Sequence, residues 1–323
     1  MKIAITGANG FVGSNLIKPF TAAGHEVTAL VRAKSSVSLL PADTKIIPID
    51  YLNPEALQQI LISQQVLIHN AGKTKALNHQ EMLSANLGIT EKLLSAINKL
   101  EKPLHFIYIS SQAASRPCRH NHPVNEEDPP APLTSYGKSK LAAEKAIRNN
   151  CQQPWTIVRP SSIYGCGDKD FLTLFRMAKK GFSFQIGHSD RQLNMIHVDE
   201  LAAFLLLCVA RREACNQVFF ATDGKVYHQS EIIDSIAQAL GKNPKKLVIP
   251  EFMARLVFYA GDLYGRMMHK EVVINREKMK EIMAENWLAD IAKATRLLGW
   301  NPTPNLNARM KETAKCYADL GWL

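Results

Sequence analysis

The turn Gly7-Ala8-Asn9-Gly10-Phe11-Val12-Gly13 follows directly on an apolar stretch at residues 2–6 and opens into a helical pattern at 13–23. Three glycines at three-residue spacing between a strand and a helix permit a tight turn, and they let backbone N–H groups and the helix N-terminus approach a pyrophosphate. A glycine triplet alone is a weak signal, and it takes its force from its setting. Stretches rich in Ile, Val and Leu recur at 26–31, 46–49, 65–69, 105–110 and 156–159, each reading as a strand buried on both faces. Helical patterns at 54–63, 79–99 and 135–149 lie between them. Such alternation predicts an α/β chain with a doubly wound parallel sheet and right-handed crossovers. After residue 164 the alternation weakens, and helical runs at 223–240, 252–268 and 276–285 read as a smaller lobe. The expected division is 1–164 with 191–222 as a dinucleotide-binding domain, and 165–190 with 223–323 as a substrate-binding lobe.

A site for NAD places an acidic residue roughly 20 positions beyond the glycines, at the end of the second strand, to accept from the ribose 2′-hydroxyl. This chain has Arg32 and Lys34 there instead. A guanidinium offers phosphate a planar fork of donors, so the pair points to NADP(H) over NAD(H). Asp50 closes the third strand where it can accept from an adenine amino group, with Tyr51 beside it. The segment Tyr136-Gly137-Lys138-Ser139-Lys140 sets a phenol and an ammonium four residues apart, on one face of a helix. An ammonium near a phenol lowers its pKa from about 10 and makes it a usable proton donor or acceptor. The strand at 105–110 ends in Ser110-Ser111, at the carboxyl edge where such sheets bind ligands.

Together these residues resemble an extended short-chain dehydrogenase/reductase of the NAD-dependent epimerase/dehydratase family. The likeness runs through the glycine turn, His69-Asn70-Ala71-Gly72, Asn86, Ser110-Ser111, Tyr136-x-x-x-Lys140, Arg159-Pro160-Ser161-Ser162-Ile163-Tyr164-Gly165, His197-Val198-Asp199 and Leu298-Gly299-Trp300-x-Pro302. The resemblance implies a Rossmann-type sheet, hydride transfer at nicotinamide, and a catalytic set of Ser111, Tyr136 and Lys140. Ser111 orients the substrate carbonyl, with Ser110 the alternative one register away. Tyr136 gives or takes the proton, and Lys140 holds the nicotinamide ribose. It further implies that Gly7, Asn9, Gly10, Phe11, Val12, Gly13, Ala71, Gly72, Pro160, Ser162 and Ile163 contact the cofactor, and that the chain forms a homodimer through paired helices.

Departures narrow the reaction. Dehydratases of this kind carry acidic residues after the catalytic hydroxyl, and Gln112-Ala113-Ala114 stand here. Sugar-nucleotide enzymes commonly have an Asn in place of Ser162 and an Arg in place of Leu193, although Arg191 lies close by. Val31-Arg32 and Arg159-Pro160 are closer to dihydroflavonol 4-reductases and 3β-hydroxysteroid dehydrogenases. The reading that follows is an NADP(H)-dependent oxidoreductase acting on a ketone or aldehyde and its secondary alcohol. A sugar-nucleotide 4-epimerase is the first alternative, and a non-catalytic NADP(H)-sensing protein the second.

A formal charge of +10, from 39 Lys+Arg against 29 Asp+Glu, calls for an anionic partner. The basic residues are dispersed and not interleaved with aromatics, which argues against nucleic acid. Six cysteines without Cys-x-x-Cys spacing read as reduced thiols in a cytoplasmic protein with no metal site. A strand pattern beginning at the first residues leaves no room for a signal peptide. The apolar run at 201–210 is half the length that a bilayer needs and reads as a buried helix. Asp199 reads as a helix-start residue, and His120 and His122 as surface residues of a Pro-rich loop. Residues 252–260 are apolar at 252, 253, 256, 257, 259 and 260 around Arg255. Packing of the small lobe is the default for them, with a greasy substrate pocket or peripheral membrane contact as the other readings. The region from Arg255 to Lys270 is where an anionic surface would bind.

Overall fold

The inner strands of the central sheet are buried on both faces, as a parallel sheet between two helical layers requires. In the computed structural model, residues 1–118, 122–187, 189–268, 272 and 274–323 are described. The first half runs β1 (Lys2–Thr6), α1 (Phe11–Ala22), β2 (Glu26–Arg32), β3 (Lys45–Ile49), α2 (Pro54–Leu61), β4 (Val66–His69), α3 (His79–Leu83), α4 (Ile89–Ile97), β5 (His105–Ile109) and α5 (Ser135–Asn150). Next come β6 (Trp155–Pro160), β7 (Ser162–Tyr164), α6 (Lys169–Lys179), β8 (Phe182–Ile186), β9 (Gln192–Leu193), β10 (Met195–His197), α7 (Val198–Ala210) and β11 (Gln217–Ala221). The chain ends with β12 (Tyr227–His228), α8 (Gln229–Ala239), β13 (Lys245–Ile249), α9 (Glu251–Met267), α10 (Arg276–Ile282), α11 (Ala292–Leu298) and α12 (Leu306–Asp319).

Seven parallel strands lie in the order β11-β6-β5-β4-β1-β2-β3, a Rossmann-type α/β fold. Strand order reverses between β1 and β4, so a crevice opens at their carboxyl ends. One face packs Leu16, Ile17 and Phe20 of α1 against α7 and Trp300, and the other packs α2, α4 and α5 through Leu57, Leu93 and Ile147. The apolar run at 201–210 lies in α7 and is largely buried. Among the described residues no helix is long and apolar enough to cross a membrane.

Three expectations are corrected. The helix expected over 79–99 is interrupted at Ser84–Gly88 by a π-turn. The widened turn carries Asn86 inward, where its side chain bonds Lys73 and Ser139. The helix expected from 223 starts at Gln229. Asp223 accepts bonds from the Tyr227 hydroxyl (2.7 Å) and the Lys225 amide (3.0 Å), and Gly224 takes φ +76°, so the preceding residues form a turn and β12. Lastly, the cysteines are not all reduced. Cys166, after β7, is joined to Cys316 of α12 across 150 residues of sequence, a separation that leaves no local spacing signal.

Titration in denaturant without reductant is expected to find four thiols, those of Cys118, Cys151, Cys208 and Cys215, and six after reduction. Closing a loop of this length stabilises by up to about 5 kcal/mol, so Cys316→Ser should lower Tm by several degrees. Six reactive thiols before reduction would refute the bond.

Candidate active site

The glycine turn is closed by sterics. Gly7 has φ +63°, and a Cβ there would lie 2.8 Å from the Ala71 Cα; on Gly13 it would lie 2.3 Å from the Gly7 carbonyl oxygen. Only hydrogen fits between β1, α1 and the loop after β4 at these points. The Gly10 amide bonds the Gly7 carbonyl (3.1 Å), and Gly10 leads into α1 with no side-chain cap. The first-turn N–H groups are therefore not covered by a side-chain cap, the cradle that a pyrophosphate needs. Phe11 and Val12, half-buried, begin the helix.

Thr6 fastens the neighbouring loop. Its Oγ1 accepts from the amides of Asn70 (3.1 Å) and Ala71 (3.2 Å), which leaves its own proton for His69 Nδ1 at 2.8 Å. Thr90 donates to the Asn86 carbonyl and faces His69 Nε2 at 3.1 Å, so the network assigns the imidazole proton to Nε2. Burial, followed by the charge of Lys140, holds His69 down at about 3, hence neutral.

Arg32 ends β2 exposed, Lys34 is exposed two residues on, and a turn returns the Ser35 amide to the Arg32 carbonyl. Asn9 Nδ2 reaches the Ser36 carbonyl at 3.0 Å, which binds the glycine loop to the Arg32 loop. Ser35 and Ser36 are hydroxyls beside this basic pair that the sequence reading passed over, although Arg32-Ala33-Lys34-Ser35-Ser36 displays them. Asp50 is exposed, with Oδ1 accepting the Leu52 amide. The Tyr51 side chain is buried near Thr6; burial pushes it up to about 12, opposed by the Thr6 hydroxyl and by Arg32. Gly72 lies beside Asn86 and Lys140, where a Cβ would meet the Asn86 Oδ1 at 2.4 Å. Pro160 is buried, Ser162 exposed and Ile163 half-buried where β6 passes into β7.

The residues expected to be catalytic sit where α5 meets the end of β5. Ser111 caps a short 3-10 turn at Gln112–Ala114, accepting the Ala113 amide at 3.1 Å. A Cβ on Gly137 would lie 2.1 Å from the Ala113 carbonyl oxygen, so this glycine lets α5 settle on that turn. This sets the Tyr136 phenol beside the Ser111 hydroxyl. Ser110 points the other way, donating to Glu144 at 2.5 Å inside the protein. Lys140 is buried, donates to the Ile109 carbonyl at 2.8 Å and stands 4.7 Å over the Tyr108 ring. Burial lowers it to about 8, with Glu144 pulling the other way.

The expected lowering of the Tyr136 pKa is not found. Burial pushes it up to about 12, the nearby Ser111 hydroxyl lowers it in part, and Glu281 of α10 raises it. Lys140 is turned onto the Ile109 carbonyl and is not among the groups that act on the phenol. At neutral pH Tyr136 is thus a protonated donor.

Two groups beyond the sequence reading hold this arrangement. Glu144, one turn beyond Lys140, forms a bidentate pair with Arg159 of β6 (3.0 and 2.6 Å), both almost fully buried. Glu277 and Glu281 of α10 accept from the Ser135 amide and the Thr134 hydroxyl, just ahead of Tyr136. His197 caps α7 in a capping box with Glu200, and Asp199 in its first turn pairs with Arg309 at 3.3 Å, structural roles both. His122 is exposed; His120 lies outside the described residues.

This fold and this Ser-Tyr-Lys constellation define a class of nucleotide-dependent oxidoreductases. Residues 3–219 match the NAD dependent epimerase/dehydratase family, and the chain belongs to it, within the extended short-chain dehydrogenase/reductases. The chain is 25% identical to a UDP-glucose 4-epimerase of Vibrio cholerae over 98% of its length and 95% of that protein. It is 27% identical to a ceramide reductase of Caulobacter vibrioides over 99% and 96%. The UDP-glucuronic acid 4-epimerase of Bacillus cereus, solved with UDP-glucuronic acid and NAD, superposes with a TM-score of 0.79 at 20% identity, over 99% of this chain and all of that one.

Proposed function

We propose that the protein is an NADP(H)-dependent carbonyl reductase or alcohol dehydrogenase acting on a lipid-like ketone/secondary alcohol pair. The observation that carries this is the placing of Tyr136 beside Ser111 at the carboxyl edge of the sheet, with Lys140 one helical turn behind it. The glycine cradle fits a dinucleotide, since a Cβ at Gly7 or Gly13 would fill it. The cofactor, when bound, supplies or takes up hydride. Ser111 hydrogen-bonds the substrate oxygen, Tyr136 gives that oxygen its proton, and the buried Lys140 ammonium would hold the nicotinamide ribose.

The sheet domain, 1–164 with 191–222, binds the nucleotide in this reading, and 165–190 with 223–323 the substrate. Gly10, Asn9, Phe11, Val12 and Gly13 face the diphosphate. Asp50 and Tyr51 lie towards the adenine, Ala71 and Gly72 flank the ribose, and Pro160, Ser162 and Ile163 the carboxamide. A lipid-like substrate is supported by the ceramide reductase relative, by Leu193 in the place of an Arg, and by the Glu277 and Glu281 carboxylates beside Tyr136, which disfavour an anionic substrate there. The chain is read as a homodimer, and the Cys166–Cys316 bond removes the reduced-thiol ground for a cytoplasmic location.

Arg32 and Lys34 support NADP(H), because no carboxylate stands in their place. Arg32→Ala is expected to weaken NADPH binding by about 1.5–3 kcal/mol, roughly tenfold or more, while leaving NADH nearly untouched. A fluorescence titration with both cofactors checks this, and equal losses would overturn the assignment. The epimerase reading rests on the Vibrio cholerae relative. Nucleotide retained through gel filtration, with sugar nucleotides interconverted without added cofactor, would establish it and displace the reductase.

A further inference from the structure

Helix α9 is amphipathic the wrong way round for a soluble surface. Ala254, Phe258 and Gly265 are its buried residues, and Ala254 and Phe258 pack on Met279, Ile249 and Ile186. The opposite face is apolar throughout. Phe252, Leu256, Leu263 and Met267 are 59–72% exposed, and Met253, Val257, Tyr259 and Tyr264 are 46–54% exposed. Spaced at 252, 256, 259, 263 and 267, these residues form a continuous outward stripe. Ile274, against whose carbonyl Gly261 packs, adds a further exposed apolar side chain. The expectation that 252–260 pack inside the small lobe is therefore corrected.

The borders of the stripe are basic. Arg255 forms no ion pair among the described residues, Arg266 reaches out with Asp262 at its root (3.0 Å), and Arg276 lies 4.5 Å over the Tyr259 ring. The strand leading into the helix contributes exposed Lys245, and Lys246 paired with Asp234 at 2.8 Å, beside exposed Leu247 and Val248. Lys270, the far end of the basic region expected from the sequence, is outside the described residues. An apolar face with aromatic residues on it and cations at its edges is complementary to the interface of an anionic bilayer. A second protein surface would leave these cations to be paired, and a purely apolar one would not use them.

We propose that α9 docks the protein on the surface of anionic phospholipid membranes, lying in the interface with residues 252, 256, 263 and 267 inserted. The surface alone carries this inference, and it deepens the reading of a lipid-like substrate. Behind the docked face, α9 packs on α10, whose Glu277 and Glu281 hold Ser135 and Thr134 ahead of Tyr136. A substrate leaving the bilayer there meets the helix that borders the catalytic phenol.

Flotation of the full chain with vesicles of phosphatidylglycerol mixed with phosphatidylcholine, against pure phosphatidylcholine, tests it without substrate. The wild type is expected to float with the anionic vesicles and to partition far less into the neutral ones. Leu256→Glu with Leu263→Glu should abolish flotation, and Arg255→Glu should reduce it about fivefold or more, since one cation near the surface is worth on the order of 1 kcal/mol. Both variants alter exposed side chains, so unchanged Tm and unchanged reduction of a water-soluble ketone are expected, which separates loss of docking from failure of the catalytic reading. Absence of wild-type flotation, equal partition into neutral vesicles, or a fall in solution mass on Leu256→Glu with Leu263→Glu, the sign of a second copy on this face, would each overturn the proposal.

Discussion

Tyr136→Phe is expected to lower kcat for carbonyl reduction by 10²–10⁴ while leaving nucleotide affinity unchanged. The estimate is the usual contribution of a positioned proton donor, and the geometry says which group donates. Burial pushes Tyr136 up to about 12, with the neighbouring Ser111 hydroxyl lowering it only in part, so it holds its proton across the physiological range. Phenylalanine keeps the ring packing and removes only the acid. The pH profile supplies a second reading. In the proposed role Lys140 holds the nicotinamide ribose as an ammonium, and burial lowers it to about 8. Reductive kcat should therefore fall as pH rises through about 8, and Lys140→Met should lose that limb along with most of the rate. Stopped-flow measurement of the hydride step checks both. A Phe variant within a few-fold of wild type would remove Tyr136 from the chemistry and revive the non-catalytic reading.

What the sequence made legible follows a physical rule: features set by short-range geometry can be read, and those set by distant partners cannot. The glycine turn was readable because positive φ and close approach at Gly7 and Gly13 admit no side chain. Tyr136 and Lys140 were readable as an i, i+4 pair on one helix face. The six early strands were visible as apolar runs, whereas β11 was missed although Val218, Phe219, Phe220 and Ala221 form a buried apolar run of the same kind. The phenol's state was misjudged because spacing cannot tell where an ammonium points, and Lys140 turns to the Ile109 carbonyl. Cys166 and Cys316 meet only because the loop after β7 packs beside α12. The outward stripe of α9 was seen as apolar, but its direction depends on which residues, Ala254, Phe258 and Gly265, are covered.

The largest stability effect is expected from Glu144, which the sequence reading left unremarked although it continues the Tyr136 and Lys140 stripe by one more turn. Its carboxylate receives two bonds from Arg159 and one from Ser110, with Arg159 and Glu144 side chains 2% and 1% exposed. The guanidinium also lies 5.5 Å over the Phe220 ring, and its Nη1 has no hydrogen-bond partner among the described residues. Glu144→Ala strands that cation in the interior, which should destabilise by about 3–5 kcal/mol, whereas replacing both partners by methionine should be far milder because no buried charge remains. Denaturant unfolding of the two variants distinguishes the cases. A single variant that loses under about 1 kcal/mol would show the pair to be dispensable. The pair also clamps α5 to β5 and β6, the elements that carry Tyr136, Lys140 and Ser111. The methionine pair should accordingly fold yet lose kcat without a matching change in KM, since what it removes is the alignment of the phenol against Ser111 and not the surface that receives the substrate.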